Sequence, residues 1–226
     1  SSLYLDDGYL FFNLTPVEKR IENDSIDLEI RIFEGKQARI NLVTIRGNTR
    51  TNDHVIMREI RTRPGQLFRR SDIIRSQREI IQLGYFDQEK INVIPRPNPV
   101  DGTVDIEYVV EETSSDQIEL SGGWGANRII GTVGLTFNNF STRNLFRKDA
   151  WRPLPTGDGQ RLSLRAQSYG RGYISYSLSF SEPWLGGRKP NTLSFSLYQT
   201  THRQNVAKDN PNYGYYSIIG SALGFA

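Results

Sequence analysis

The chain contains no cysteine, one methionine and two histidines among its 226 residues. Without thiols there is no disulfide framework and no thiolate metal site, although the compartment stays open. His54 and His202 fall in different segments, and no nucleophile elbow, phosphate-binding loop or zinc-protease helix motif occurs. Glu119 and Glu182 lie on different strand candidates and do not read as a catalytic carboxylate pair. Neither an enzyme nor a cofactor or metal site is therefore expected. Mean hydropathy is −0.51, and no apolar run reaches the roughly 18 residues of a membrane-crossing helix. The opening SSLYLDDGYL lacks a basic stretch followed by an apolar one, so any signal peptide is expected to be removed or to lie outside this chain. A transmembrane β-barrel survives these exclusions, because its strands are only about 9–11 residues long and merely alternate.

Charge divides the chain. Residues 1–116 hold 16 basic and 20 acidic residues, whereas residues 117–226 hold 12 and 5. The second half is also the one rich in glycine, serine and tyrosine. Two segments with different surroundings are implied, with the boundary near the EETSSD of Glu111 to Asp116.

The first half repeats itself. Gly8-Tyr9-Leu10 returns as Gly84-Tyr85-Phe86, and Asp27-Leu28-Glu29-Ile30 returns as Asp105-Ile106-Glu107-Tyr108. Residues 1–37 read as the C-terminal part of one copy, with a turn at Glu22 to Asp24, and residues 38–115 as a complete one. In the complete copy RINLVTIR alternates and ends at Gly47-Asn48, which marks a strand and a turn. Thr51 is placed to cap a helix bearing Val55, Ile56 and Ile60, and RPGQ breaks it. Ser71 is expected to cap a second helix with Ile73, Ile74, Ile80 and Ile81 as its stripe, ended by Gly84. Strands at 88–94 and 103–111 complete a β-α-α-β-β unit, a small α+β domain. Arg69, Arg70, Arg75 and Arg78 are interrupted by Asp72 and Glu79 and lack an aromatic platform, so they read as a solvated face and no nucleic-acid partner is expected.

The second half, 116–226, is a series of amphipathic strands. In GYISYSLSFSEPW, Ile174, Tyr176, Leu178 and Phe180 alternate with Ser175, Ser177, Ser179 and Ser181. Successive strand side chains point to opposite faces, so one face is oily and one polar. Six segments follow this period, near 117–126, 130–139, 160–168, 173–180, 192–201 and 215–226. Apolar positions include Leu120, Trp124, Val133, Leu135, Phe137, Leu162, Leu164, Leu193, Phe195 and Leu197. A soluble sandwich or lipocalin-like barrel would also alternate. Here the polar face is mostly Ser, Thr, Gly and Arg, and Tyr169, Tyr173, Trp184, Tyr213 and Tyr215 gather near strand ends in the manner of an interfacial girdle. Leu135, Phe137, Ile174, Tyr176, Leu178, Phe180, Leu193, Phe195 and Leu197 are accordingly expected to face lipid. Six strands fall short of the smallest barrels of about eight, so antiparallel transmembrane strands of a partial barrel are expected.

The residues now resemble a known family. GNTRTNDHVIMREIRTRPGQLF and LGYFDQEKINV resemble a POTRA domain; SGGWG, the NLF of STRNLF, and SFSEPWLGGRKPNTLSFSLY resemble the first barrel strands that follow the last such domain. Together they cover nearly the whole chain and resemble a BamA-type outer-membrane assembly factor. One departure stands out: after NLF the family runs through a short Gly-rich turn, whereas RKDAWRPLPTGDG intervenes here.

The resemblance implies a bacterial outer-membrane protein with periplasmic POTRA domains. Its implied partners are nascent β-barrel proteins, outer-membrane lipids and accessory lipoproteins of an assembly complex. A POTRA-barrel pore exporting an unfolded protein shares the architecture and is the alternative. The physical route to assembly is an edge that opens. The first barrel strand runs through Gln117, Ile118, Glu119, Leu120, Ser121, Gly122, Gly123, Trp124 and Gly125. Glycine packs nothing and weakens a strand, and an opened edge accepts an incoming strand by β-augmentation. The competing reading is that the glycines make room for neighbouring aromatic rings. A second pairing edge is expected in the POTRA sheet at Gln88, Lys90, Asn92 and Ile94, with Pro95, Pro97 and Pro99 ending the strand and shaping the turn.

Overall fold

A computed structural model describes residues 2–22, 25–125, 128–151, 153–204 and 213–226. The expected turn at Glu22 to Asp24 therefore lies partly outside the described residues, as does Ala126. The chain divides into two compact units, Ser1–Thr49 with Asp53–Thr113, and Arg50–Asn52 with Ser114–Ala226.

The first unit opens with the short helix α1 (Ser2–Asp6) and an antiparallel hairpin, β1 (Asn13–Glu22) and β2 (Ser25–Phe33). The β-α-α-β-β order follows: β3 (Arg39–Arg46), α2 (Asp53–Met57), α3 (Arg70–Gln82), β4 (Asn92–Asn98) and β5 (Thr103–Val109). The sheet order is β3-β5-β4, with β5 central, parallel to β3 and antiparallel to β4. Val104, Ile106 and Tyr108 alternate inward from β5 and are fully buried; Val55, Ile56 and Ile80 close over them from the helical layer. Gly47 is compulsory: its φ is +100°, and a Cβ there would sit 1.8 Å from the Val110 carbonyl oxygen.

Three local expectations are corrected. Ser71 is not the cap of α3. The helix begins at Arg70 after Arg69, which offers no side-chain cap, and the Ser71 N–H instead donates to Asp6 Oδ1 at 2.7 Å. The cap comes from α1, 65 residues away in sequence, where no local pattern reveals it. The stripe of α3 runs through Ile73, Ser76, Ile80 and Ile81, as expected except that Ser76 joins it and Ile74 is turned toward solvent. Ser76 belongs inside because its hydroxyl is satisfied, donating to the Asp72 carbonyl at 2.6 Å and accepting the Arg61 N–H at 2.8 Å. The strand expected at 88–94 is displaced: Gln88–Lys90 forms a 3₁₀ turn, and β4 runs on through Pro95 and Pro97, paired with Ile106 and Val104. Proline persists in an edge strand when its missing N–H lies on the unpaired side. Asp6→Ala removes one charge-assisted partner of the α3 N-terminus, and a loss of about 0.5–2 kcal/mol is expected in urea unfolding of the first unit.

The second unit is one antiparallel sheet, β6 (Gln117–Gly125), β7 (Arg128–Phe140), β8 (Gln160–Tyr169), β9 (Tyr173–Glu182), β10 (Leu193–Arg203) and β11 (Tyr215–Phe225), in sequential order. Its register makes the alternation two-dimensional. Ile118, Leu135, Leu164, Leu178 and Leu197 stand in one row across five strands. Phe137, Leu162, Phe180, Phe195 and Leu223 form the next. Thr136, Ser163, Ser179 and Ser196 form a row on the opposite face. No described helix is long and apolar enough to cross a membrane, which says nothing of strands.

Candidate strand-pairing edge

All nine residues expected at the pairing edge, Gln117 to Gly125, fall in β6. This strand has one neighbour, β7, and forms an edge of the described sheet. Its apolar side chains are open: Ile118, Leu120 and Trp124 are 72–80% exposed. Among the described residues, the glycines do not make room for rings. A Cβ on Gly123 or Gly125 would meet nothing within 4 Å, and one on Gly122 only the Ile130 carbonyl oxygen at 3.8 Å. What they change is the strand itself, by removing side-chain contacts and adding conformational freedom.

Gly134 on β7 is different. It lies between Glu119 and Arg165 in register, and a Cβ there would be 3.1 Å from Glu119 Oε2. Its absence lets Arg165 Nη2 donate to Glu119 Oε1 at 2.9 Å over the top of β7. Both side chains are half exposed, so this ion pair is a modest clasp on β6. Alternation puts Glu119 opposite in face to Leu120, and Arg165 opposite in face to Leu164; only the register brings them together.

The second expected edge is largely dismantled. Gln88 and Lys90 lie in the 3₁₀ turn, and only Asn92 and Ile94 are in a strand. β4 is an edge of its sheet, yet its ladder with β5 continues through Pro95 and Pro97, which puts the missing donors on the outward side. A strand added there would find no N–H at either proline.

Leu135, Phe137, Ile174, Tyr176, Leu178, Phe180, Leu193, Phe195 and Leu197 share one face of the second sheet. Two of the tyrosines expected in a lipid girdle do not. Tyr173 is two residues from Ser175 and pairs with His202, so it lies on the serine-bearing face. There the rings of Tyr169, Tyr173, His202 and Tyr216 touch in succession, with centroids 4.9–5.2 Å apart. Tyr215, opposite Arg203, lies on the other face. The two-residue period already contained this distinction, which clustering at strand ends concealed.

The fold and its edge define a POTRA domain followed by antiparallel strands of a barrel wall, left open in this chain. Residues 38–113 match the POTRA family model, described as a surface antigen variable number repeat. An outer membrane protein assembly factor BamA of Neorickettsia risticii is 33% identical over 176 residues, which are 76% of this chain and 21% of the relative. The chain spans about a fifth of the length of the curated relatives it matches. In fold, the crystal structure of Haemophilus ducreyi BamA lacking POTRA domains 1–3 matches with a TM-score of 0.75 at 18% identity, covering 99% of this chain and 39% of that one. CdiB from Acinetobacter baumannii matches at 0.52 and 15% identity, covering 98% and 38%. The chain fits a segment of a BamA-type outer-membrane protein, with the POTRA domain in the periplasm and β6–β11 in the bacterial outer membrane.

Proposed function

We propose that this chain is the part of an assembly factor that receives nascent β-barrel proteins and inserts them into the outer membrane, with β6 as the template. The observation that carries this reading is that β6, the first strand of the sheet, bears three glycines at which, among the described residues, a Cβ would meet no side chain. Glycine weakens such a strand, so its outer side opens easily, and the freed N–H and C=O groups pair with an incoming strand without reading sequence. No cofactor enters the scheme; the energy comes from the hydrogen bonds and apolar burial of the arriving strand. The rows through Leu135, Phe137, Leu178, Phe180, Phe195 and Leu197 face lipid in this reading, and the serine face lines the lumen. Accessory lipoproteins dock on the POTRA unit, on surfaces other than the outward edge of β4.

The export-pore alternative uses the same architecture, and CdiB matches over nearly the whole chain. The higher TM-score of the BamA structure and the assembly-factor names of the sequence relatives favour insertion. Single cysteines introduced along β6 of the intact protein test it. With a stalled barrel substrate carrying a cysteine in its last strand, disulfides are expected at alternating β6 positions, in a register that moves with the substrate cysteine. Absence of an adduct at every position from Gln117 to Gly125 would overturn the template role.

A further inference from the structure

The connection from β7 to β8 is long and built from its own side chains, and its construction points to a ligand. It is pinned from within. Ser141 is fully buried and donates to Asp158 Oδ2 at 2.7 Å; Asn144 Nδ2 donates to the Thr156 carbonyl at 2.7 Å; the Thr142 N–H donates to Gln160 Oε1 at 2.8 Å. Two successive 3₁₀ turns, Arg143–Phe146 and Lys148–Ala150, are folded back by a bridge between Trp151 and Pro155. On this scaffold Phe146 is 96% exposed and Leu145 and Trp151 are 43% exposed. Arg143, Arg147 and Lys148 are exposed beside them, with Arg143 4.0 Å from the buried Asp158 and Arg147 3.5 Å from the exposed Asp149. A fixed turn that holds aromatic side chains in the open among cations has the composition of a membrane-interface anchor.

Its position agrees. β6 follows the POTRA domain directly, so the rim holding the start of β6, the end of β7 and the start of β8 is the periplasmic one. The apolar row of Phe137, Leu162 and Phe180 ends within three residues of this rim, and the Phe140 ring packs on Phe180 at 6.4 Å. The connection thus continues the apolar face toward the headgroup level. We propose that it seats in the periplasmic leaflet, Phe146 and Trp151 entering the headgroup–acyl boundary and Arg143, Arg147 and Lys148 binding the phosphates of anionic phospholipid. This rests on the reading that the apolar face of β6–β11 meets lipid.

Single cysteines in a cysteine-free background of the intact protein, to which this chain contributes none, give a direct test. The intact protein is folded into vesicles of phosphatidylethanolamine with phosphatidylglycerol, with an environment-sensitive fluorophore on Phe146→Cys or on Leu178→Cys. Shallow and deep spin-labelled lipids serve as quenchers. The expected result is quenching of 178 by the deep label and of 146 by the shallow one. Arg147→Glu with Lys148→Glu should weaken the second signal, by roughly five-fold per charge in apparent affinity. Quenching at 178 with none at 146 overturns the anchor and leaves the lipid-facing reading intact. No quenching at either position removes that reading and the anchor with it. Protection of 146 from aqueous iodide without lipid quenching means that protein covers the turn, and overturns the proposal. Equal quenching of 146 in purely zwitterionic vesicles overturns the role given to the cations.

Discussion

Tyr108→Ala is expected to unfold the POTRA domain under conditions where the parent is stable. Tyr108 is fully buried at the centre of the β3-β5-β4 sheet, among Val104, Ile106, Ile56 and Ile80. Truncating an aromatic side chain in such a site costs about 3–5 kcal/mol, against a total stability of about 5–15 kcal/mol for a domain. Tyr108→Phe keeps the ring and separates a second contribution. The Tyr108 hydroxyl lies 2.9 Å from Thr62 Oγ1, itself buried, so the Phe variant strands a hydroxyl at a cost of about 1–3 kcal/mol. It also changes the alkaline limb. Burial, opposed by the hydrogen bonds from Thr62 and Ser76, pushes the phenol above its ordinary pKa. The folded domain thus keeps the phenol neutral where the unfolded chain ionises it, above about pH 10. The advantage is fully present below that pH and is lost as pH rises through the folded value. Denaturant titrations at about pH 8 and about pH 11 should show the parent losing more stability than Tyr108→Phe between them. Parallel losses in the two proteins would mean that the phenol does not titrate with unfolding.

The parts of this fold legible in the sequence are those governed by a short period. Strict alternation from Ile174 to Ser181 placed four apolar and four serine side chains on opposite faces, and the register extends the same sorting across the sheet. The β-α-α-β-β order followed from the Gly47 turn, the RPGQ break and Gly84, each a backbone constraint carried by one or two residues. What escaped was set by distant partners. Asp6 caps α3 across 65 residues, and Ser76 is buried because Asp72 and Arg61 satisfy its hydroxyl. β4 lies later than the 88–94 expectation because proline does not end an edge strand; there it blocks only the outer side. The extent of β6, from Gln117 to Gly125, was legible. The reason for the glycines was not, since it depends on what a Cβ would meet. The Glu119–Arg165 clasp required the register of three strands.

The second large effect comes from one charge placed on either side of β9. Leu178 stands mid-strand, paired with Leu164 and Leu197 in one of the two five-residue apolar rows. Ser179, its neighbour, pairs with Ser163 and Ser196 on the opposite face. Arginine on the lipid side of a barrel costs about 2–4 kcal/mol at the bilayer midplane and far less near its surfaces, whereas a lumen position leaves it solvated. Leu178→Arg in the intact protein is therefore expected to lower stability by about that amount in urea titrations of vesicle-folded protein, and to reduce the folded fraction on heat-modified gels. Ser179→Arg should stay within about 0.5 kcal/mol of the parent, as surface substitutions do. A soluble sandwich would also resent Leu178→Arg, so the bilayer supplies the deciding comparison. Moving the arginine along the same face from 178 to 174, toward the strand end, should recover most of the loss if lipid covers the face. A penalty independent of depth would instead put protein against these leucines. Reversal of the order, with Ser179→Arg the more damaging, would turn the sheet inside out.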